Sequence, residues 1–199
     1  VFANEGFIDE LAATAGQDPY AYRMSLLSKE PRYANVLKLA AEKAGWGSPV
    51  AAGRARGIAL MEGYDTYMAQ VAEVSLNKDG EVVVHKVTVA ADVGMMVNPD
   101  TVEAQIQSSV VFGMSAGLMQ QITLKGGVVQ ETNYNNYPVV RMNESPAIDI
   151  VLVKSSEKPG GIGEPATALV VPAIANAVAA LSGKRVRTLS MTAAAIKAA

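Results

Sequence analysis

A glycine-rich loop ends in a carboxylate at residue 164, the position in this sequence with the clearest potential for acid–base chemistry. The loop runs K-P-G-G-I-G-E-P from Lys158 to Pro165. Glycines remove the side chains that keep a ligand or a second backbone at a distance, and Pro165 has the φ angle that a first helical turn needs. The pattern predicts that Glu164 lies at or next to the N-cap of a helix.

The helix after this loop is predicted to be buried, including its start. From Ala166 to Leu181 the sequence is apolar on nearly every face, as in a core helix. An acidic residue in a first turn also stabilises a helix by about 0.3–1 kcal/mol through the helix dipole, so a purely structural role for Glu164 is the alternative. A dinucleotide or P-loop site is disfavoured, because the spacing is G-G-x-G and no Lys-Ser or Lys-Thr follows.

A second helix, predicted from about Asp100 to Met119, has an unusual number of small and amide side chains. They are Gln105, Gln107, Ser108, Ser109, Gly113, Ser115, Ala116 and Gly117. Two interpretations stay open at this point. Small residues allow a helix to pack closely on a sheet, and small residues with amides also allow close approach to a large polar ligand.

Composition excludes several classes of function. The 199 residues include no cysteine, which removes disulfides, iron–sulfur ligation and thiol catalysis within this chain. The single histidine, His85, lies in an alternating run typical of a strand, so we expect no His-based metal site. The net charge of −2 and the lack of a basic run argue against nucleic-acid binding, and no uninterrupted apolar run predicts a membrane span. The chain starts at Val1 without a signal peptide and looks like a piece of a longer protein.

The remaining elements predict an α+β fold, with an N-terminal helical arm and an antiparallel or mixed sheet on which helices pack. We divide the chain into a helical arm (1–45), a linker (46–54) and an α+β region (55–199). Three helices are expected in the arm, the first from Glu5 to Ala15 with Phe7, Ile8, Leu11 and Ala12 on its buried face. Strands are expected at 55–62, 68–76, 82–91 and 148–153, with tight turns at 77–80 and 125–127.

Several stretches together resemble the molybdopterin-binding large subunit of the xanthine oxidase family, in its C-terminal part and in the isoquinoline 1-oxidoreductase and bacterial aldehyde dehydrogenase branch. The likeness runs through nearly the whole chain, in the same order. The stretches are Phe7–Ala12, Lys43–Gly47, Asp92–Gly94, Asn98-Pro99, Val102–Ile106, Phe112-Gly113, Tyr137-Pro138, Arg141–Glu144, Gly161–Pro165 and Pro172–Ala177.

This resemblance implies a fragment of a molybdenum-cofactor-binding domain. Glu164 would be the general base, Gln105 would bind the cofactor through its amide, and Gly161 and Gly163 would line the cofactor. The protein would not ligate the metal directly, since the pterin holds it. The cofactor would be a molybdenum-pterin, in the form of molybdopterin cytosine dinucleotide, and would require the complete enzyme, so that the 199-residue chain alone binds none and is inactive.

The implied enzyme is a molybdenum hydroxylase that oxidises an aldehyde or an N-heteroaromatic compound with water as the oxygen source. Its partners would be the remainder of the large subunit and an iron–sulfur subunit, in the periplasm or cytoplasm of a bacterium. One departure is the Gln107-Ser108-Ser109 run, because relatives commonly have glycines there. The alternative from another class is a non-catalytic assembly or packing module that binds no cofactor by itself.

Overall fold

A four-stranded sheet with helices on both faces forms the protein, and the computed structural model describes all 199 residues. The helices are α1 (Phe2–Thr14), α2 (Pro19–Leu26), α3 (Pro31–Ala44), α4 (Pro99–Leu118), α5 (Pro165–Ser182) and α6 (Ala193–Ala198), with a short 3₁₀ turn at Met142–Glu144. The strands are β1 (Arg54–Gly63), β2 (Thr66–Leu76), β3 (Val82–Asp92), β4 (Leu124–Lys125), β5 (Val128–Val129) and β6 (Ala147–Leu152). The predicted α+β class is confirmed.

The sheet is mixed. Its order is β1-β2-β3-β6, with antiparallel pairing from β1 to β3 and parallel pairing of β6 to β3. Gly63 pairs with Thr66, so only Tyr64 and Asp65 form the first turn, with φ angles of 58° and 62°. Two consecutive residues with positive φ are the pattern of a type I′ hairpin. The predicted turn at 77–80 closes the second hairpin, where the Asn77 side chain accepts a hydrogen bond from Asp79 N at 2.9 Å.

Both faces of β2 are buried, because α3 covers one and α5 covers the other. Ala69 and Val71 pack with Val36 and Leu37 of α3 in one apolar cluster. Alternate positions, such as Met68, belong to the larger cluster that includes α4 and α5. Helix α3 thus packs directly on the sheet, while the division of the chain at residues 45 and 54 stays a prediction.

The prediction for the buried face of α1 was wrong for Phe7 and Leu11, whereas Ala12 is buried as expected. Glu5, Asp9 and Ala12 are buried, whereas Phe7 is 58% and Leu11 is 39% exposed. The reason is charge pairing with two arginines that are distant in sequence. Arg23 of α2 lies 3.0 Å from Glu5 and 3.2 Å from Asp9, and Arg185 lies 2.7 Å from Asp9.

These charged residues, with Asn176 of α5, form what we call the edge cluster: Glu5, Asp9, Arg23, Asn176 and Arg185. Strand β1 has only one neighbouring strand, so its outer backbone groups need other partners. Leu60 N donates to Glu5 Oε2 at 3.0 Å, and Asn176 Nδ2 donates to Ile58 O at 3.0 Å. The edge cluster therefore supplies two of the hydrogen bonds that a further strand would give to β1.

Helix α5 crosses β1 at a glycine. A Cβ atom built on Gly57 would lie 2.1 Å from Ala177 N and 2.3 Å from Ala173 O, so only glycine allows this approach. By length and mean hydropathy (18 residues, 1.6), α5 could cross a membrane, but 72% of it is buried inside the fold. A buried core helix meets the same criterion.

Candidate functional site

The glycine loop before α5 is held against the ends of β2 and β3. Gly160 N donates to Val93 O at 2.8 Å, and Gly161 N donates to Tyr64 O at 2.8 Å. The hydroxyl of Thr66 donates to Gly161 O at 2.7 Å. A Cβ atom on Gly160 would lie 2.6 Å from Asp65 O, so this glycine is needed for the contact. The loop is thereby fixed to the β1–β2 turn.

A bidentate ion pair supports the same loop from the end of β3. Arg32 donates to both carboxylate oxygens of Asp92 at 2.8 Å, and Gly94 N donates to Asp92 at 3.0 Å. The hydrogen bond from Arg32 is the largest factor that lowers the pKa of Asp92. Gly94 has a φ of +69°, and a Cβ atom there would lie 2.0 Å from Lys158 O. Asp92 and Gly94 thus shape the base of the loop.

Glu164 is the N-cap residue of α5, as predicted, but its side chain makes no capping hydrogen bond. The backbone oxygen of Glu164 accepts from Thr167 N at 2.9 Å, while the carboxylate extends away from the helix. Pro165 and Ala166 are buried as expected, whereas Glu164 is exposed, so the prediction of a buried start was wrong at this residue. The reason is that no other element of the chain covers the carboxylate.

The carboxylate of Glu164 has one hydrogen-bond partner, the phenol of Tyr64. Tyr64 Oη donates to Glu164 Oε2 at 3.0 Å. This hydrogen bond, followed by the negative charge of Glu164, raises the pKa of Tyr64. Tyr64 did not figure among the sequence-predicted site residues. The signal that could have identified it is an aromatic residue in a two-residue turn, where glycine or asparagine is usual.

The structure brings Gln105 and Gly163 together. Gln105 Nε2 lies 4.0 Å from a Cβ atom built on Gly163, the residue before Glu164. One turn further along α4, Ser109 is buried and its hydroxyl lies 3.5 Å from Gly163 O. The side chain nearest to Gly161 is that of Tyr64. Of the four predicted residues, Gln105, Gly163 and Glu164 therefore border one region, and Gly161 packs against the β1–β2 turn.

Two cavities border this region and share the residues Ser108 and Phe112. One, of about 480 Å³, is lined by Ser108, Ser109, Phe112, Gly163, Glu164, Thr167 and Ala168. The other, of about 690 Å³, is lined by Gln107, Ser108, Val111, Phe112, Ser115, Gln120, Val139, Val140, Ser145, Pro146 and Ile148. Both volumes lie in the range of sites for small molecules and cofactors.

The small and polar residues of α4 have two roles: some pack against another helix, and others line the cavities. A Cβ atom on Gly113 would lie 2.5 Å from Thr167 O, and one on Gly117 would lie 2.8 Å from Val171, so these glycines allow close packing. Their packing partner is α5, where we expected the sheet. Gln107 and Ser108 are exposed and line the cavities, so their polar groups are available to a ligand.

The donor groups of this region suit a polar organic ligand better than a directly ligated metal ion. The structure has no group of three or more His, Cys, Asp or Glu side chains that could hold a metal. It offers an amide at Gln105, a hydroxyl at Ser108, and a glycine at 163 whose Cβ position has no other atom closer than 4.0 Å. Such groups form hydrogen bonds with heterocycles and phosphates.

Comparison with known proteins identifies the family. The family model of the molybdopterin cofactor-binding domain matches residues 15–146, which is most of the chain and includes Gln105. The chain belongs to this family. As a molybdopterin cofactor-binding domain, it has the region between α4 and the glycine loop as its candidate cofactor site. The match ends before Glu164 and does not bear on the role of that residue.

Two curated relatives of this molybdopterin cofactor-binding domain align over all or nearly all of its length. The beta subunit of isoquinoline 1-oxidoreductase from Brevundimonas diminuta is 34% identical over 96% of the chain. A nicotinate dehydrogenase subunit from Pseudomonas putida is 37% identical over 100% of the chain. The chain spans only 25% and 18% of the length of these two proteins, respectively.

A solved structure supports the fold independently. The crystal structure of quinoline 2-oxidoreductase from Pseudomonas putida 86 superposes with a TM-score of 0.62 at 21% identity. The superposition covers 67% of this chain and 18% of that one. The arrangement of helices around a mixed sheet is thus shared with a much longer oxidoreductase chain.

Proposed function

We propose that this chain is part of the catalytic subunit of a molybdenum hydroxylase that oxidises an aldehyde or an N-heteroaromatic compound, with water as the oxygen source. The observation that carries the proposal is the position of Glu164. Its carboxylate is exposed at the N-terminus of α5, where Glu164 lines the smaller cavity, and the preceding residue, Gly163, lies beside the amide of Gln105. The names of both curated relatives contain an N-heteroaromatic compound, isoquinoline or nicotinate.

Gln105, Gly163 and the exposed hydroxyl of Ser108 would hold the cofactor. A Cβ atom on Gly163 would reach to within 4.0 Å of Gln105 Nε2, so the absence of a side chain there keeps the space beside the amide open. The added hydroxyl of Ser109 does not close this space, because it is directed at the backbone of Gly163. We infer a molybdopterin cytosine dinucleotide as the form of the cofactor.

When bound, the cofactor supplies the two-electron oxidation of a substrate carbon. The protein's part is to orient the substrate and to move a proton. Oxygen Oε2 of Glu164 is engaged by Tyr64, so Oε1 is the oxygen that accepts the proton released when the new carbon–oxygen bond forms.

The proposed enzyme requires further polypeptide. Glu164 and the two cavities are open on the surface of this chain, so the rest of the large subunit would complete the pocket and set the substrate. Electrons would leave through an iron–sulfur subunit, since this chain has no cysteine to ligate a cluster. The 199-residue chain by itself would bind no cofactor and have no activity.

Replacement of Glu164 tests the proposal. Glu164→Gln keeps the shape of the side chain and removes the base, and positioned acid–base catalysis typically contributes about 10²–10⁴ in rate. We expect kcat in the assembled enzyme to fall by that factor while the molybdenum content, measured on the same sample, stays at the wild-type level. Glu157→Gln, one residue before the same loop and also exposed, is the matched control and should keep full activity. Near-normal turnover of Glu164→Gln at full molybdenum occupancy would refute the assignment.

A further inference from the structure

We propose that Tyr64 is a positioning residue for Glu164. Its hydroxyl holds Oε2 of the carboxylate, so that Oε1 is presented in a fixed direction. This inference rests on the proposed function of Glu164 as the base, and it adds a residue from a distant part of the chain, 100 positions earlier. Tyr64 affects the reaction only by holding the Glu164 carboxylate in place.

The first argument is the backbone of Tyr64. Its φ is 58°, in the left-handed region, which is unfavourable for a bulky aromatic residue and normally occupied by glycine, asparagine or aspartate. The ring does not gain stability by burial in return, because Tyr64 is 64% exposed. A residue type that is unfavourable for the turn and does not pack in the core points to a role for its side chain. The hydrogen bond to Glu164 is the polar contact that this side chain makes.

The second argument is the rigidity of the support under Tyr64. The carbonyl of Tyr64 accepts the hydrogen bond from Gly161 N, and the next residue but one, Thr66, donates to Gly161 O. A Cβ atom on Gly161 would lie 2.9 Å from the Cβ atom of Tyr64, so the turn and the loop are in van der Waals contact. The hydroxyl and the carboxylate are therefore carried by two segments whose relative position is fixed by three contacts.

The consequence is a restriction on the rotation of the Glu164 carboxylate. Glu164 has no capping hydrogen bond and is exposed, so the hydrogen bond from Tyr64 is the restraint on its side chain. Without the hydroxyl, the carboxylate would sample several rotamers, and only some would place an oxygen correctly for proton transfer. A hydrogen bond to a charged group at an exposed position supports an effect of about tenfold in rate.

The test is Tyr64→Phe in the assembled enzyme, with kcat, KM and molybdenum content measured together. We expect kcat to fall about tenfold, with KM and molybdenum content unchanged. Tyr22→Phe is the matched control, since Tyr22 lies in α2, which packs with α1 and α3, and it should behave as wild type. If Tyr64→Phe keeps wild-type kcat while Glu164→Gln is inactive, the inference is overturned and the proposed function stands.

A second measurement does not depend on catalysis. Tyrosinate absorbance is followed against pH in wild type and in Tyr64→Phe, and the difference between the two curves gives the pKa of Tyr64. Because the hydrogen bond and charge of Glu164 raise the pKa of Tyr64, that pKa should move back towards 10.0 in a Glu164→Gln background. An unchanged Tyr64 titration in Glu164→Gln would show that the two side chains do not interact, and would overturn the inference even where the base assignment holds.

Discussion

Carboxylates lie near both ends of α5, but their surroundings are opposite. In the edge cluster, beside the second half of the helix, Glu5 is 4% and Asp9 is 5% exposed, and both are paired with arginines. At the start of the helix, Glu164 is exposed and has one neutral partner, Tyr64. Buried charges need such pairing, because an isolated charge in the interior is strongly unfavourable. The carboxylates of the edge cluster are thus fully used by the fold, and Glu164 retains a free oxygen for chemistry.

Along α5, residues near the second half should matter for the stability of the fold, and residues at the start should matter for turnover. The edge cluster makes two hydrogen bonds to the outer backbone of β1, at Leu60 N and Ile58 O. A change there should destabilise the protein without a specific effect on the site. Changes at Glu164 or Tyr64 should affect turnover with little effect on unfolding, because neither side chain is part of the core.

The largest expected effect comes from Arg23→Met. Arg23 is 1% exposed and forms ion pairs with Glu5 and Asp9. The substitution leaves the buried Glu5 without an arginine partner and Asp9 with Arg185 alone. Breaking a buried ion pair typically destabilises a protein by about 3–5 kcal/mol. We expect a loss of that size in the free energy of unfolding, measured by urea denaturation.

Lys38→Met is the matched control for Arg23→Met. Lys38 forms an exposed ion pair with Glu42 at 3.8 Å, and exposed pairs contribute about 0–1 kcal/mol. A loss below about 1 kcal/mol for Arg23→Met, similar to that of Lys38→Met, would contradict the structural role that we assign to the edge cluster.

The next effect in size concerns the contact that positions α5. In Gly57→Ala the new methyl group would meet the backbone of Ala173 and Ala177, so α5 or β1 must shift. Overpacking of this kind typically costs about 1–3 kcal/mol. Gly6→Ala is the control, because Gly6 lies in α1 with nothing within 4 Å of its Cβ position, and it should gain roughly 0.5–1 kcal/mol. Urea denaturation of both variants gives the comparison, and equal stability of the two would contradict the close crossing.

The antiparallel strands could be predicted from sequence because their signals are local. The turn residues at 77–80 and the alternation around His85 in β3 predict the second hairpin without reference to the rest of the chain. The buried face of α1 could not be predicted in this way. Glu5 and Asp9 are buried because Arg23 and Arg185 meet them in space, and a pattern rule assigns the apolar residues to the core instead.

The candidate site was predictable in part. The glycine spacing located Glu164 at the start of α5, and the resemblance supplied Gln105. Tyr64 lies in a turn that falls between two predicted strands, and nothing in its local sequence relates it to a residue 100 positions away. Contacts between turns of different hairpins and loops depend on the tertiary fold, which periodicity does not encode.

The smallest expected effect is the pH dependence of the free energy of unfolding. It should have opposite signs for Glu5, in the edge cluster, and Asp92, at the base of the glycine loop. Burial, only partly offset by Arg23, raises the pKa of Glu5 above its ordinary value of 4.5. The folded state therefore holds this proton more tightly than the unfolded state. The contribution of Glu5 is fully present below pH 4.5 and is lost as the pH rises through the raised pKa.

Asp92, at the base of the glycine loop, should show the reverse. The hydrogen bond from Arg32 lowers its pKa below the ordinary value of 3.8, so its contribution is present above pH 3.8 and is lost as the pH falls through the lowered pKa. We would measure the free energy of unfolding across this range for wild type, Glu5→Gln and Asp92→Asn. The unfolding free energy of wild type minus that of Glu5→Gln should decrease as the pH rises. The unfolding free energy of wild type minus that of Asp92→Asn should decrease as the pH falls. Differences that change in the same direction would show that the two carboxylates are not in contrasting environments, since only a raised and a lowered pKa give slopes of opposite sign.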